Sequence, residues 1–185
     1  MEKYLKVELD HIHLMRGGDI LIHCLWIEKI MVALIILKKH PRIVRKFNQP
    51  ISYKIPMVMV KERCVYWKKD FSHIIEEFIK IFNPVIDIRN KLKQIYIKRN
   101  ILSHSNIKLG QKYFLYRPKN RKKLIEAGEV FNLNKIPNQA NPIVLKIDYS
   151  NEINYINDFN IIQFLDQQYF LKEAVKLDVI YSHLR

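Results

Sequence analysis

The apolar stretch ILIHCLWIEKIMVALIILKK, residues 20–39, limits what this chain can become more than any other feature. The window Ile20–Leu37 is the most hydrophobic of the chain, and Ile30–Leu37 is its longest unbroken apolar run. A membrane span needs about 20 predominantly apolar residues. His23, Glu28 and Lys29 interrupt this window, so a buried helix is expected and no membrane partner. Leu21, Cys24, Leu25, Glu28, Met31, Val32 and Ile35 recur at three- and four-residue spacing. Apolar residues also occupy the opposite side, which predicts a largely enclosed helix. Lys38, Lys39 and His40 suit the negative end of its dipole, and Pro41 stops it. Upstream, Gly17-Gly18 is expected to interrupt, with Asp19 as the N-cap. Residues 1–16 fit two patterns. Leu5, Val7 and Leu9 alternate like a strand, while Leu5, Leu9, Ile12 and Arg16 share a helical face.

The remaining chain divides by its prolines. Pro41, Pro50 and Pro56 rule out continuous helix over 41–69, where Met57–Val60 fits a short strand or one helical turn. A helix opens at Asp70 or Ser72 and runs through Phe82, with Phe71, Ile74, Ile75 and Phe78 on one face. After Pro84 a further helix runs over 85–104, with Ile88, Leu92, Ile95, Arg99 and Leu102 aligned and Lys91, Lys93, Gln94 and Lys98 on the remainder. Ser103, Ser105, Asn106 and Gly110 mark its end. Tyr113–Tyr116 and Ile143–Tyr149 alternate as strands. Between them lie a short helix, a basic segment and a Pro/Asn-rich loop. Residues 152–185 are helical in pattern, in one or two pieces. The expected fold is mainly α, a helical bundle with a small β-hairpin insertion at about 111–150 and a C-terminal helical segment at 151–185. One domain over 1–185 is long enough to bury a core.

Charge narrows the partners. Lys and Arg total 32 against 18 Asp and Glu, a net +14. That excess favours a polyanion, and RNA in particular. Cys24 and Cys64 form neither a disulfide framework nor a zinc pattern. Read as reduced thiols, and with an N-terminus MEKYLKVELD that lacks a cleavage site, they suit the cytoplasm. His11-x-His13 would share a strand face, yet no acid or cysteine stands at ligand spacing, so no metal site and no cofactor are expected.

The stretch 85–106, VIDIRNKLKQIYIKRNILSHSN, ends in Arg99-Asn100 followed by three residues and then His104. This resembles the Arg-x(4–6)-His motif of HEPN domains, in which the residue after the arginine is often polar. The likeness extends over about residues 15–108, through a buried N-terminal helix carrying an interior acid, Glu28, and the helix pair FSHIIEEFIKIFNPVIDIRNKLKQIYIKRNILSHS. Arg16 and His23 make a second match, but it straddles Gly17-Gly18.

The resemblance implies a metal-independent endoribonuclease of a toxin–antitoxin or phage-defence system, acting as a homodimer with a shared basic cleft. Arg99 would stabilise the phosphate and His104 would act as general acid or base, with Asn100, Ser103 and Glu28 in support. Histidine chemistry near neutral pH and a guanidinium on developing charge suit 2′-OH attack on phosphorus. On a regular helix Arg99 and His104 would diverge by about 140°, so His104 must leave the helix to approach Arg99. Lys98, Lys108, Arg117, Lys119 and Arg121 are the expected RNA contacts, with Tyr113, Phe114 and Tyr116 as stacking surface for single-stranded tRNA or mRNA. His-x-Tyr, the modification target in HEPN toxins paired with a nucleotidyltransferase antitoxin, is replaced by Ser105-Asn106. An antitoxin or regulatory partner would therefore act differently. Two plainer roles stand beside these: Arg99 paired with Glu28 or Glu77, and His104 capping the helix end. A non-catalytic HEPN-like module binding nucleic acid or a protein is the alternative function.

Overall fold

The computed structural model describes residues 2–50, 54–106, 113–131, 133 and 144–185, with side chains from residue 11 onward. The fold is mainly α with one small antiparallel strand pair. Its elements run α1 (Glu2–Lys39), a 3-10 turn Pro41–Ile43, α2 (Val44–Phe47), α3 (Met57–Tyr66), α4 (Phe71–Phe82), α5 (Ile86–Ser103), β1 (Phe114–Tyr116), α6 (Arg121–Val130), β2 (Leu145–Ile147), α7 (Glu152–Gln163) and α8 (Leu171–Lys176). Phe164–Phe170, a π-helical segment, joins α7 to α8. Its i→i+5 spacing matches the interval between Leu165 and Phe170, both buried. The chain divides into two compact units, residues 1–24 with 94–160 and residues 25–93 with 161–185.

In the first unit, β1 pairs with β2 in the register Phe114↔Ile147, Leu115↔Lys146 and Tyr116↔Leu145. Two strands alone are marginal in water, and here they rest on helix. Phe114 is 2% exposed and its ring lies over Gly17 of α1. An added Cβ at Gly17 would fall 2.5 Å from Cε2 of that ring and closer still to Cζ. This corrects the expected interruption at Gly17-Gly18, because α1 is helical straight through both glycines. Two glycines inside a helix cost about 0.8–1.0 kcal/mol each against alanine, and Gly17 returns its share as room for an aromatic ring. The strand alternative for residues 1–16 falls with it. The two strands flank α6 as expected, and Leu145 and Ile147 point inward while Lys146 faces water.

In the second unit, Ile30–Leu37 is buried over its whole length. Burying an aliphatic side chain is worth about 1.5–3 kcal/mol, so this run supplies much of the core. The enclosure does not reach back along the helix: Ile22, Leu25 and Trp26 are 54%, 44% and 48% exposed. By length and composition the segment His11–Lys39 is apolar enough to cross a membrane, and 61% of its apolar window is buried inside the protein. Phe78 of α4 stacks on Phe82 at 4.5 Å and meets Phe170 edge-on at 5.6 Å. Met57–Val60 begins a ten-residue helix, α3, after Pro56 at its N-cap. Asn83 ends α4 in the left-handed conformation, φ 44°.

Candidate functional site

The Arg99–His104 segment lies in the first unit, at the end of α5. The helix stops at Ser103, and the local chemistry explains where. The Ser103 hydroxyl donates to the Asn100 carbonyl at 3.1 Å, and the Ser105 hydroxyl donates to the Ile101 carbonyl at 2.6 Å. The His104 N–H is shared between the Asn100 and Ile101 carbonyls at 3.2 and 3.3 Å. Terminal carbonyls that a further helical turn would have used are thus satisfied by serine side chains and by a tightened last turn. Two residues on, Asn106 exchanges both backbone hydrogen bonds with Leu115 of β1, at 2.9 and 3.1 Å. His104 is held between a capped helix end and a strand bridge.

The side chains sort by environment. Arg99 is half-buried, and its Nη1 donates to Asn100 Oδ1 at 3.1 Å. His104 is exposed, as are Ser103 and Asn106. Glu28 is half-buried on α1, in the second unit. Glu77, one of the two carboxylates considered for Arg99, accepts from Lys39, from Tyr66 at 2.7 Å and from Lys69 at 2.8 Å. Burial would raise the pKa of Glu77, but these three donors overcome it and hold the carboxyl down at about 2.

Among the expected RNA contacts, Arg117, Lys119 and Arg121 are exposed, and Lys122 is exposed beside them. They sit where β1 turns into α6, whose first turn is fixed by Asn120 Oδ1 accepting the Lys123 N–H at 2.9 Å. Lys123 itself is bound to Glu126 at 2.7 Å. Lys108 lies outside the described residues. Tyr113 stays half-buried with Lys146 Nζ 5.4 Å from its ring centroid, while burial raises the pKa of half-buried Tyr116. Phe114 is a core residue rather than a stacking surface, for the reason given by Gly17.

Lys98 requires the largest correction. It is 4% exposed and forms an ion pair with Asp158, itself 5% exposed. The Tyr149 hydroxyl donates to the other carboxylate oxygen at 2.8 Å, and the Tyr149 N–H donates to His13 Nδ1 at 3.1 Å. Burial first, then the Asp158 charge, drive the Tyr149 pKa far up, so this phenol stays protonated. The position read as a surface cation is the centre of a buried polar chain. Asp158 in NDFN was the available sequence signal, an acid on the apolar-flanked face of α7, but nothing local links it to Lys98.

The second Arg-to-His spacing is structural. Arg16 donates to the carbonyls of Tyr149 and Ser150, at 3.4 and 3.1 Å, and lies 3.6 Å from Glu152. His23 Nδ1 bonds the Asp19 carbonyl at 2.9 Å. The pair His11 and His13 lies on a helix rather than a strand, with His11 exposed and His13 buried. Among the described residues, no group of three or more His, Cys, Asp or Glu side chains is placed to hold a metal ion. Comparison with protein-family models, with curated proteins and with solved structures finds no match to this chain.

Proposed function

We propose that the chain is a HEPN-type endoribonuclease working without a metal ion at the end of α5. One observation carries the reading. Asn100 engages the Arg99 guanidinium while His104 stands exposed just beyond the capped helix end, so a hydrogen-bond donor for phosphate and a proton-transfer group share one short, held segment. Arg99 would bind the scissile phosphate through charge-assisted hydrogen bonds from its guanidinium. The ribose 2′-OH would attack phosphorus and lose its proton to an imidazole, and the 5′-oxygen would leave with a proton from an imidazolium. The products are a 2′,3′-cyclic phosphate and a 5′-hydroxyl. One His104 cannot be base and acid in the same step, so the reading calls for a second copy contributing another Arg99–His104 set, and C2 pairing is the common solution. Exposed Arg117, Lys119, Arg121 and Lys122 would track the RNA backbone.

The setting is a cytoplasmic toxin–antitoxin or phage-defence system. Cys64 is an exposed free thiol, which suits a reducing compartment. The same row of exposed cations supports the alternative of a module that binds RNA without cutting it.

The deciding experiment incubates the protein with tRNA or total RNA in EDTA beside His104→Ala and Arg99→Ala. The expected result is cleavage to cyclic-phosphate ends that falls by about 10²–10⁴-fold in His104→Ala, the usual scale of acid–base catalysis. RNA retention without cleavage in the unmodified protein would establish the binding module instead.

A further inference from the structure

The second unit contains a cleft of about 300 Å³ that the reading above does not use. Residues of α1, α2 and α3, described residues between α2 and α3, and the C-terminal segment line it. The basic groups Lys29, Lys46, Lys54, Arg63, His183 and Arg185 line it, and no aspartate or glutamate stands among its described lining residues. In a chain with 18 acids, such exclusion around so many cations is a strong local field.

Two of these groups have other duties. Arg185 pairs with Asp166, and Lys29 Nζ donates to the main-chain oxygen of Arg185 at 2.7 Å. The remaining cations, Lys46, Lys54 and Arg63, face the space from three separate backbone segments. Arg63 is half-buried, and burial lowers its pKa, the mark of a guanidinium losing hydration. His183 is oriented: its Nδ1 lies 3.2 Å from the Phe47 carbonyl. A carbonyl only accepts, so Nδ1 carries a proton and Nε2 remains for another partner. The lining also includes apolar Phe47, Pro50, Ile55 and Pro56.

We propose that this cleft binds a nucleoside phosphate, with the phosphate held by Lys46, Lys54 and Arg63 and the base against Phe47 and the prolines. A volume of about 300 Å³ lies at the lower end for small-ligand sites. The combination of guanidinium, ammonium and apolar surface is the chemistry that a phosphorylated nucleoside satisfies as a whole. The ligand is either a free mononucleotide or the phosphorylated end of an RNA strand. The cleft contains neither Arg99 nor His104, so the inference does not depend on the proposed cleavage.

The test uses the full chain carrying His104→Ala, so that no RNA is cut, and titrates adenosine 5′-monophosphate, adenosine, and short RNAs bearing a 5′-phosphate or a 5′-hydroxyl. The monophosphate or the phosphorylated strand is expected to bind at least about 10-fold tighter than its unphosphorylated counterpart, the weight of one charge-assisted contact. Arg63→Gln should weaken that binding by about 10-fold or more. The exposed pair Lys46→Ala/Lys54→Ala, which leaves buried surface untouched, should do the same. Tight binding by the mononucleotide alone marks a free nucleotide as the ligand. Equal binding by the phosphorylated strand marks an RNA end. Equal affinity for adenosine and its monophosphate, no binding of either phosphorylated probe, or unchanged affinity in the lysine pair would overturn the assignment.

Discussion

Replacing Lys98 by methionine should be among the most damaging single changes in the first unit. The substitution keeps the length of the side chain and removes its charge. Asp158, 5% exposed, would then retain one described donor, the Tyr149 hydroxyl at 2.8 Å. Breaking a buried ion pair by removing one partner costs about 3–5 kcal/mol, because the surviving charge is stranded in a medium that solvates it poorly. A whole domain is stable by about 5–15 kcal/mol, so much of the folding free energy is at stake. The double variant Lys98→Met/Asp158→Asn removes both charges and keeps an oxygen for Tyr149 to donate to. It should recover at least about 2 kcal/mol of the loss, since a neutral pair in that space has no charge to desolvate. Urea unfolding followed by circular dichroism at pH 7 gives each corner of the cycle. A loss below about 1 kcal/mol for Lys98→Met, or a double variant no more stable than the single one, would refute the buried pair as the organising contact.

Adjacent glycines should respond in opposite directions. Gly17→Ala is expected to destabilise by about 1–3 kcal/mol through overpacking against Phe114, whereas Gly18→Ala, whose Cβ meets nothing within 4 Å, should stabilise by about 0.5–1 kcal/mol; thermal melts of both variants provide the comparison. The Glu77 cluster should give the second unit an acid limb. Its folded-state pKa of about 2 lies below the ordinary 4.5, so its contribution is complete above pH 4.5 and is lost as pH falls towards 2. A shift of that size corresponds to about 3.4 kcal/mol at full weight. Lys39 and Lys69 are 39% and 36% exposed, and screening reduces the expectation to roughly 1–2 kcal/mol. The gap in urea midpoint between the unmodified protein and Glu77→Gln should therefore close between pH 5 and pH 2.5. A gap independent of pH would sink the assignment.

Much of the helical order was legible because periodicity and punctuation are local. Phe71, Ile74, Ile75 and Phe78 line one face of α4 and are buried, and Pro41, Pro56 and Pro84 fall where helices stop or start. The alternation of Leu145, Lys146 and Ile147 marked a strand for the same reason. The end of α5 was legible too: the polar run 103–106 does end the helix with His104 outside it. Gly17-Gly18 misled because the reason for a small residue there is the ring of Phe114, far away in sequence. Lys98 misled because its partner lies 60 residues on.

The sequence by itself therefore determined the helical class, the strand pair, the positive charge and the placing of an arginine, an asparagine and a histidine at one helix end. Each of these depends on neighbours within a turn or two, where side-chain spacing and backbone preference act directly. Only the tertiary structure decided which cations face water and which are spent inside. It turned Lys98 into half of a buried pair, left Arg117, Lys119 and Arg121 on the surface, and gathered Lys46, Lys54 and Arg63 around one cleft. A lysine carries the same charge wherever it stands along the chain. Whether that charge recruits a ligand or a carboxylate depends on what folding brings within a few ångströms of it.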